Sequence, residues 1–202
     1  MKILVMNPNS TASMTDKIVE SARQKASVGT EIIGASGTDA PASIQGHYDE
    51  AMSVPGLLAR LKQAEADGID GVVVACFDDP GIGACREVFS GPVLGICEAA
   101  VKAASMISTS FSVVTTLPRS VPVIEALIHG YGLSHRRRRV RSASIEVLAL
   151  EETNSGARET VRDEIRRDVE EDNCEAVVLG CAGMAELTVW LPQDTGVPGI
   201  HG

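Results

Sequence analysis

Residues 71–81 read GVVVACFDDPG, and residues 175–184 read EAVVLGCAGM. Each starts with an apolar, β-branched run, reaches a cysteine (Cys76 or Cys181), and then breaks into a loop marked by small or turn-forming residues. Short runs that are apolar on both faces fit strands of a parallel sheet covered by helices on both sides. In such sheets ligands bind outside the carboxyl ends of the strands, and both cysteines occupy that position. The two runs therefore predict an α/β fold and indicate where its chemistry lies.

Outward from these runs, apolar strands alternate with amphipathic helices. In the first half strands are predicted at residues 2–6, 31–35, 71–75 and 92–95, with helices at 10–25, around 57–66, around 84–89 and at 98–106. A loop rich in small residues covers 36–46. The second half repeats the pattern: strands at 111–115, within 140–150, at 176–179 and at 197–200, with helices at 118–131 and 158–170. In the last helix Val161, Ile165 and Val169 form an i, i+4, i+8 stripe. KILVMNPNS from Lys2 matches FSVVTTLPRS from Phe111, Cys76 matches Cys181, and GPVLGI from Gly91 matches GVPGI from Gly196. This correspondence predicts an internal duplication. The expected α/β architecture has two pseudo-symmetric lobes, each an open, mostly parallel sheet flanked by helices, with an active site in the cleft between them. Residues 1–107 form the lobe carrying Cys76, and residues 108–202 form the lobe carrying Cys181.

Composition narrows the function. The chain has 202 residues, a net charge of −9 and few aromatics, so its core must be built from Val, Ile, Leu and Ala. The negative charge argues against nucleic acid or an anionic membrane surface as partner. The one basic run, Arg136 to Arg139, reads as a solvated turn. No apolar run approaches the ~20 residues of a spanning helix. Residues 1–6 resemble the start of a signal peptide, but Asn7-Pro8-Asn9 halts them, so they read as a first strand. The five cysteines are odd in number and lack a C-x-x-C pair, which argues against a disulfide framework and a zinc site. A cytoplasmic protein with reduced thiols is expected. The spacing after Gly81-Ile82-Gly83 does not fit a dinucleotide fingerprint, so no NAD is expected, and the adjacent Asp78 and Asp79 have no His or third carboxylate nearby in sequence, so no metal is expected either.

Cys85, Cys97 and Cys174 read as small core hydrophobes. Cys76 and Cys181 differ because each ends a strand at a corresponding place in its half. A cysteine titrates near ~8.5, and a helix N-terminus lowers that value by stabilising the thiolate. A thiolate and a thiol on opposite faces of a planar carbanion form a two-base device for inverting a carbon centre.

These features carry a family resemblance. NPNSTASMT (7–15), PASIQGHYDEAMSVPGLL (41–58), ACFDDPG (75–81), TTLPRSVP (115–122), LALEE (148–152) and VLGCAGM (178–184) occur in order over nearly the whole chain. The chain resembles the Asp/Glu/hydantoin racemase superfamily, particularly its hydantoin-acting members. The resemblance implies cofactor-independent racemisation of 5-monosubstituted hydantoins, with Cys76 and Cys181 as the acid/base pair. ACFDDPG and GCAGM depart from the CNT-like and GCTE-like signatures of the amino-acid racemases, which favours a neutral ring as substrate. Allantoin, also a hydantoin, is the nearest alternative. A superfamily decarboxylase or cis-trans isomerase, a non-catalytic small-molecule binding module and a redox sensor are further alternatives.

An enolate formed at C5 needs donors at its oxygen. The candidates are the backbone N–H groups of Phe77, Asp78, Ala182 and Gly183, together with Asn9, Ser10, Thr115, Thr116 and Arg119. Asn9-Ser10 also reads as a helix N-cap, and Arg119 as a partner for a surface acid. Ile44 and Phe77 fit either the pocket for the C5 substituent or the core. Asp78 and Asp79 read as turn and cap residues, and His47 as structural or solvent-facing. A homo-oligomer is expected. The resemblance also implies a helix following residue 200 and an Asp-like residue where His201 stands.

Overall fold

GVVV forms β3 (Gly71–Val74) and VVL forms β7 (Val177–Leu179), the central strands of two four-stranded parallel sheets. The computed structural model describes residues 1–152 and 154–201. The chain divides into two units, Met1–Ile96 and Cys97–Gly202. The division falls next to the segment 98–106, the helix that the sequence assigns to the first lobe.

In the first unit β1 (Lys2–Asn7), α1 (Ala12–Lys25), β2 (Glu31–Ser36), α2 (His47–Ala66), β3, α3 (Ile82–Val88) and β4 (Val93–Gly95) follow in order. The strands lie in the order β2-β1-β3-β4. Leu4, Met6, Val72 and Val74 pack with Leu57 and Leu61 of α2 and with Phe89, while Val5, Ile32 and Ala75 pack with Val19 of α1. Both faces of the sheet are thus apolar, as the sequence predicts.

After α4 (Ile96–Ile107) come β5 (Phe111–Thr115), α5 (Ser120–Gly130), β6 (Arg137–Ser142), a 3-10 turn at Val147–Leu150, and α6 (Ala157–Asp172). Then follow β7, a 3-10 segment at Ala182–Val189, α7 (Leu191–Thr195) and β8 (Gly199–His201). The strand order β6-β5-β7-β8 repeats that of the first unit element for element, and all pairs are parallel. The α6 stripe behaves as expected: Val161 and Ile165 are buried against Val177 and Leu179, with Val169 at the margin.

Two expectations need correction. Helix α2 begins at His47, well before the segment around residues 57–66, because Pro55 is accommodated inside it. Its Gly56 rests on the 36–46 loop so closely that a Cβ there would lie 2.4 Å from the Thr38 carbonyl oxygen. The arginine run is also no turn. Arg137 to Arg139 form the first half of the edge strand β6, with Arg137 paired to Phe111. Charged residues suit an edge that must not attract another strand. Arg137 pairs with Glu125, and Arg139 lies 3.5 Å from Asp172.

Farther along β6, Arg141 is nearly enclosed by α6 carboxylates. It donates to Asp172 at 2.6 Å, Glu164 at 3.0 Å and Glu171 at 2.5 Å, which raises its pKa further. Asp168 beside it is 0% exposed, and its carboxyl is pushed up to about 7, chiefly by burial. Among the described residues no helix is long and apolar enough to cross a membrane.

Candidate active site

The first cysteine sits on a tight turn. Beyond the end of β3, the Ala75 N–H still donates to the Met6 carbonyl at 2.8 Å. The Cys76 carbonyl then accepts the Asp79 N–H at 3.0 Å, and the Asp79 carbonyl accepts the Ile82 N–H at 3.3 Å as α3 begins. Asp79 has φ 42°, a left-handed conformation that Asp tolerates better than most residues. Cys76 is half-buried and forms no disulfide.

The second cysteine repeats this arrangement. The Gly180 N–H donates to the Val114 carbonyl at 2.8 Å, and the Cys181 carbonyl accepts the Met184 N–H at 3.0 Å. Cys181 is likewise half-buried. Gly183 adjoins the thiol, since a Cβ there would lie 3.8 Å from Cys181 Sγ. Each cysteine therefore opens a turn closed three residues later, at the carboxyl end of a central strand. The other three cysteines contrast with these. Cys85, Cys97 and Cys174 are buried, and burial pushes the thiols of Cys85 and Cys174 up to about 11 and about 12.

β1 neighbours β3, and β5 neighbours β7, so the loops after β1 and β5 lie at the same sheet ends as the cysteine turns. In the first unit this places Asn9 near the Cys76 end. Asn9 is buried, and its Oδ1 accepts the Thr11 N–H at 2.9 Å and the Asn7 Nδ2–H at 2.8 Å. Asn7 also donates to Thr15 Oγ1 at 3.0 Å, and Thr15 meets Ser36 at 2.7 Å. Asn9 thus shapes the entry to α1, although α1 formally caps at Thr11 without a side-chain bond. Asn7 was not singled out from the sequence. The NPNST run held the signal, because Asn side chains hydrogen-bond to backbone close in sequence.

In the second unit Thr115 and Thr116 are buried. The Thr115 hydroxyl donates to the Gly180 carbonyl at 2.9 Å, so it orders the cysteine strand. Ala182 and Gly183 are half-buried in the turn. Ser10 and Arg119 are exposed, while Ile44 and Phe77 are buried. His47 is exposed as expected, 78% at its side chain, with Nδ1 3.4 Å from Glu50.

Asp78 and Asp79 are more than exposed turn residues, being only 6% and 3% accessible. The Asp78 carboxyl is pushed up to about 7, first by burial and then by the negative charges of Glu50 and Asp79, with His47 opposing. Below about pH 7 a proton-bearing carboxyl thus lies two residues from Cys76.

The Asp/Glu/hydantoin racemase family model matches residues 3–202. The chain belongs to this family and is an isomerase, a racemase. It is similar to the hydantoin racemase of Rhizobium meliloti, 54% identical over 202 residues covering 100% of this chain and 84% of that protein. The hydantoin racemase of Pseudomonas sp. strain NS671 is 45% identical over 202 residues, covering 100% of this chain and 81% of that one. Among solved structures, allantoin racemase from Klebsiella pneumoniae superposes with a TM-score of 0.96 at 42% identity, covering 99% of this chain and 82% of that one.

Proposed function

We propose that this chain racemises 5-monosubstituted hydantoins at C5 without a cofactor, with Cys76 and Cys181 exchanging the roles of thiolate base and thiol acid. The observation that carries this reading is the recurrence of one turn, cysteine carbonyl to N–H three residues on, at both cysteines. A two-base racemase needs two equivalent proton carriers, one for each face of the ring carbon.

The reaction begins with the thiolate removing the C5 proton next to the ring carbonyl. The electron pair of the C–H bond moves into the ring, leaving a planar enolate with its charge on that carbonyl oxygen. The other thiol then delivers its proton to the opposite face of C5 and becomes the thiolate, so the enantiomer binds the same site with the roles exchanged. Donors to the enolate oxygen come from the N–H groups of Phe77 and Asp78 in one turn and of Ala182 and Gly183 in the other. Asn9 and Thr115 shape the loops beside them, Thr116 lies in the second loop, and Ile44 and Phe77 border the C5 substituent. Exposed Ser10 and Arg119 contribute at the site's rim.

The fit to allantoin racemase favours a second reading, in which allantoin is the substrate of the same chemistry. Assembly into a homo-oligomer belongs to either reading. Polarimetry with separate enantiomers of 5-alkyl hydantoins and of allantoin decides between them. Faster loss of rotation from alkyl hydantoins supports the first reading and faster loss from allantoin the second. No loss from any substrate would overturn both.

A further inference from the structure

We propose that Asp79, wedged against Gly95 at the end of β4, is the positioning residue that fixes the turn carrying Cys76. This rests on the reading of Cys76 as one of the two acid/base groups. Three features of the first unit converge on it.

Asp79 closes the turn through its N–H, 3.0 Å from the Cys76 carbonyl oxygen. Its backbone is held at φ 42° immediately before Pro80, where the proline ring favours extended conformations at the preceding residue. Such a conformation is unfavourable and persists only where the surroundings enforce it. The enforcing contact is its side chain. Asp79 is 3% exposed, and a Cβ added to Gly95 would lie 2.3 Å from its Cγ and Oδ1 and 2.6 Å from Oδ2. Only glycine at 95 leaves room for that carboxylate. β4 lies directly beside β3, with Gly95 opposite Val74, so the wedge ties the Cys76 turn to the neighbouring strand.

The second unit builds this place differently. Met184 closes the Cys181 turn, and His201 stands opposite Leu179 where Gly95 stands opposite Val74. Disturbing the Asp79–Gly95 contact therefore acts on the Cys76 half of the reaction and spares the Cys181 half. A structural role alone would depress both halves together.

The test uses three variants of the full chain. Gly95→Ala drives a methyl group into the carboxylate. Asp79→Gly keeps the left-handed backbone but removes the wedge. Asp79→Asn keeps both shape and backbone. Deuterium entry at C5 in D₂O is followed from each enantiomer separately, with Cys76→Ser marking the Cys76-dependent direction. Iodoacetamide alkylation of Cys76 relative to Cys181 is read by peptide mass.

In Gly95→Ala and Asp79→Gly, the Cys76-dependent exchange is expected to fall about ten- to a hundredfold, the scale set by an ångström of misplacement. The opposite exchange stays within about twofold, Asp79→Asn restores the wild-type ratio, and Cys76 alkylates faster relative to Cys181 in Asp79→Gly. Equal loss in both directions, or an unchanged ratio in Asp79→Gly, overturns the proposal. If Gly95→Ala does not fold, Asp79→Gly decides, because it only removes atoms. If Cys76→Ser leaves both exchanges intact, the two-thiol reading fails, and the alkylation ratio in Asp79→Gly still decides whether Asp79 positions Cys76.

Discussion

Thr115 donates its hydroxyl hydrogen to the carbonyl of Gly180 at 2.9 Å, tying the end of β5 to the residue just before Cys181. Both groups are buried, so Thr115→Val leaves the Gly180 carbonyl without this donor. A loss of about 1–3 kcal/mol in urea unfolding is expected. Cys181-dependent exchange should fall as well, with Thr115→Ser restoring both. Unchanged stability in the valine variant would show that the bond does not hold the strand end.

Asp78 gives the Cys76 turn a pH signature. Its carboxyl, pushed up to about 7 mainly by burial, is neutral below that pH and anionic above it. An anion two residues from Cys76 opposes thiolate formation there. Asp78→Asn keeps the neutral form at every pH, so the alkaline rise of Cys76-dependent exchange should move to lower pH. Glu50, Asp79 and His47 remain in place in this variant and act equally on both proteins. A rise that stays put, or moves to higher pH, contradicts the assignment.

Asp168 makes stability depend on pH in the direction opposite to most carboxylates. Its folded value is raised to about 7, first by burial and also by Asp172 beside it. An unfolded Asp titrates near ~3.9, so between these values the native state holds a proton that the unfolded state has released. The stabilising contribution is therefore fully present below about pH 4 and is lost as pH rises through about 7. Asp168→Asn removes that slope. Thermal unfolding from pH 5 to 8 should show the variant gaining on the wild type as pH rises, and a wild-type advantage that widens toward pH 8 would refute this.

Much of this structure is legible in the sequence, and particular residues show why. Val72 to Val74 and Val177 to Leu179 read as strands because a continuous apolar run, mostly valine, needs cover on both faces. The two cysteines are locatable because each run ends in a turn signal. The first half of α2 is hidden because Pro55 reads as a helix boundary. The strand nature of Arg137 to Arg139 is hidden because like charges carry no two-residue alternation. Their acidic partners Glu125 and Asp172 are also distant in sequence. Asp79 looks like any turn aspartate, since neither its positive φ nor its contact with Gly95 leaves a local mark. What escapes the sequence is long-range pairing and backbone sign.

The central claim is that Cys76 and Cys181 each serve one face of the substrate carbon. The most direct measurement is deuterium entry at C5 from pure D- and pure L-hydantoin in D₂O with wild type, Cys76→Ser and Cys181→Ser. Wild type is expected to exchange and racemise both enantiomers. Each serine variant should lose racemisation yet keep exchange from one enantiomer, a different one in each case. Racemisation surviving in either variant, or both variants sparing the same enantiomer, would contradict the two-thiol mechanism.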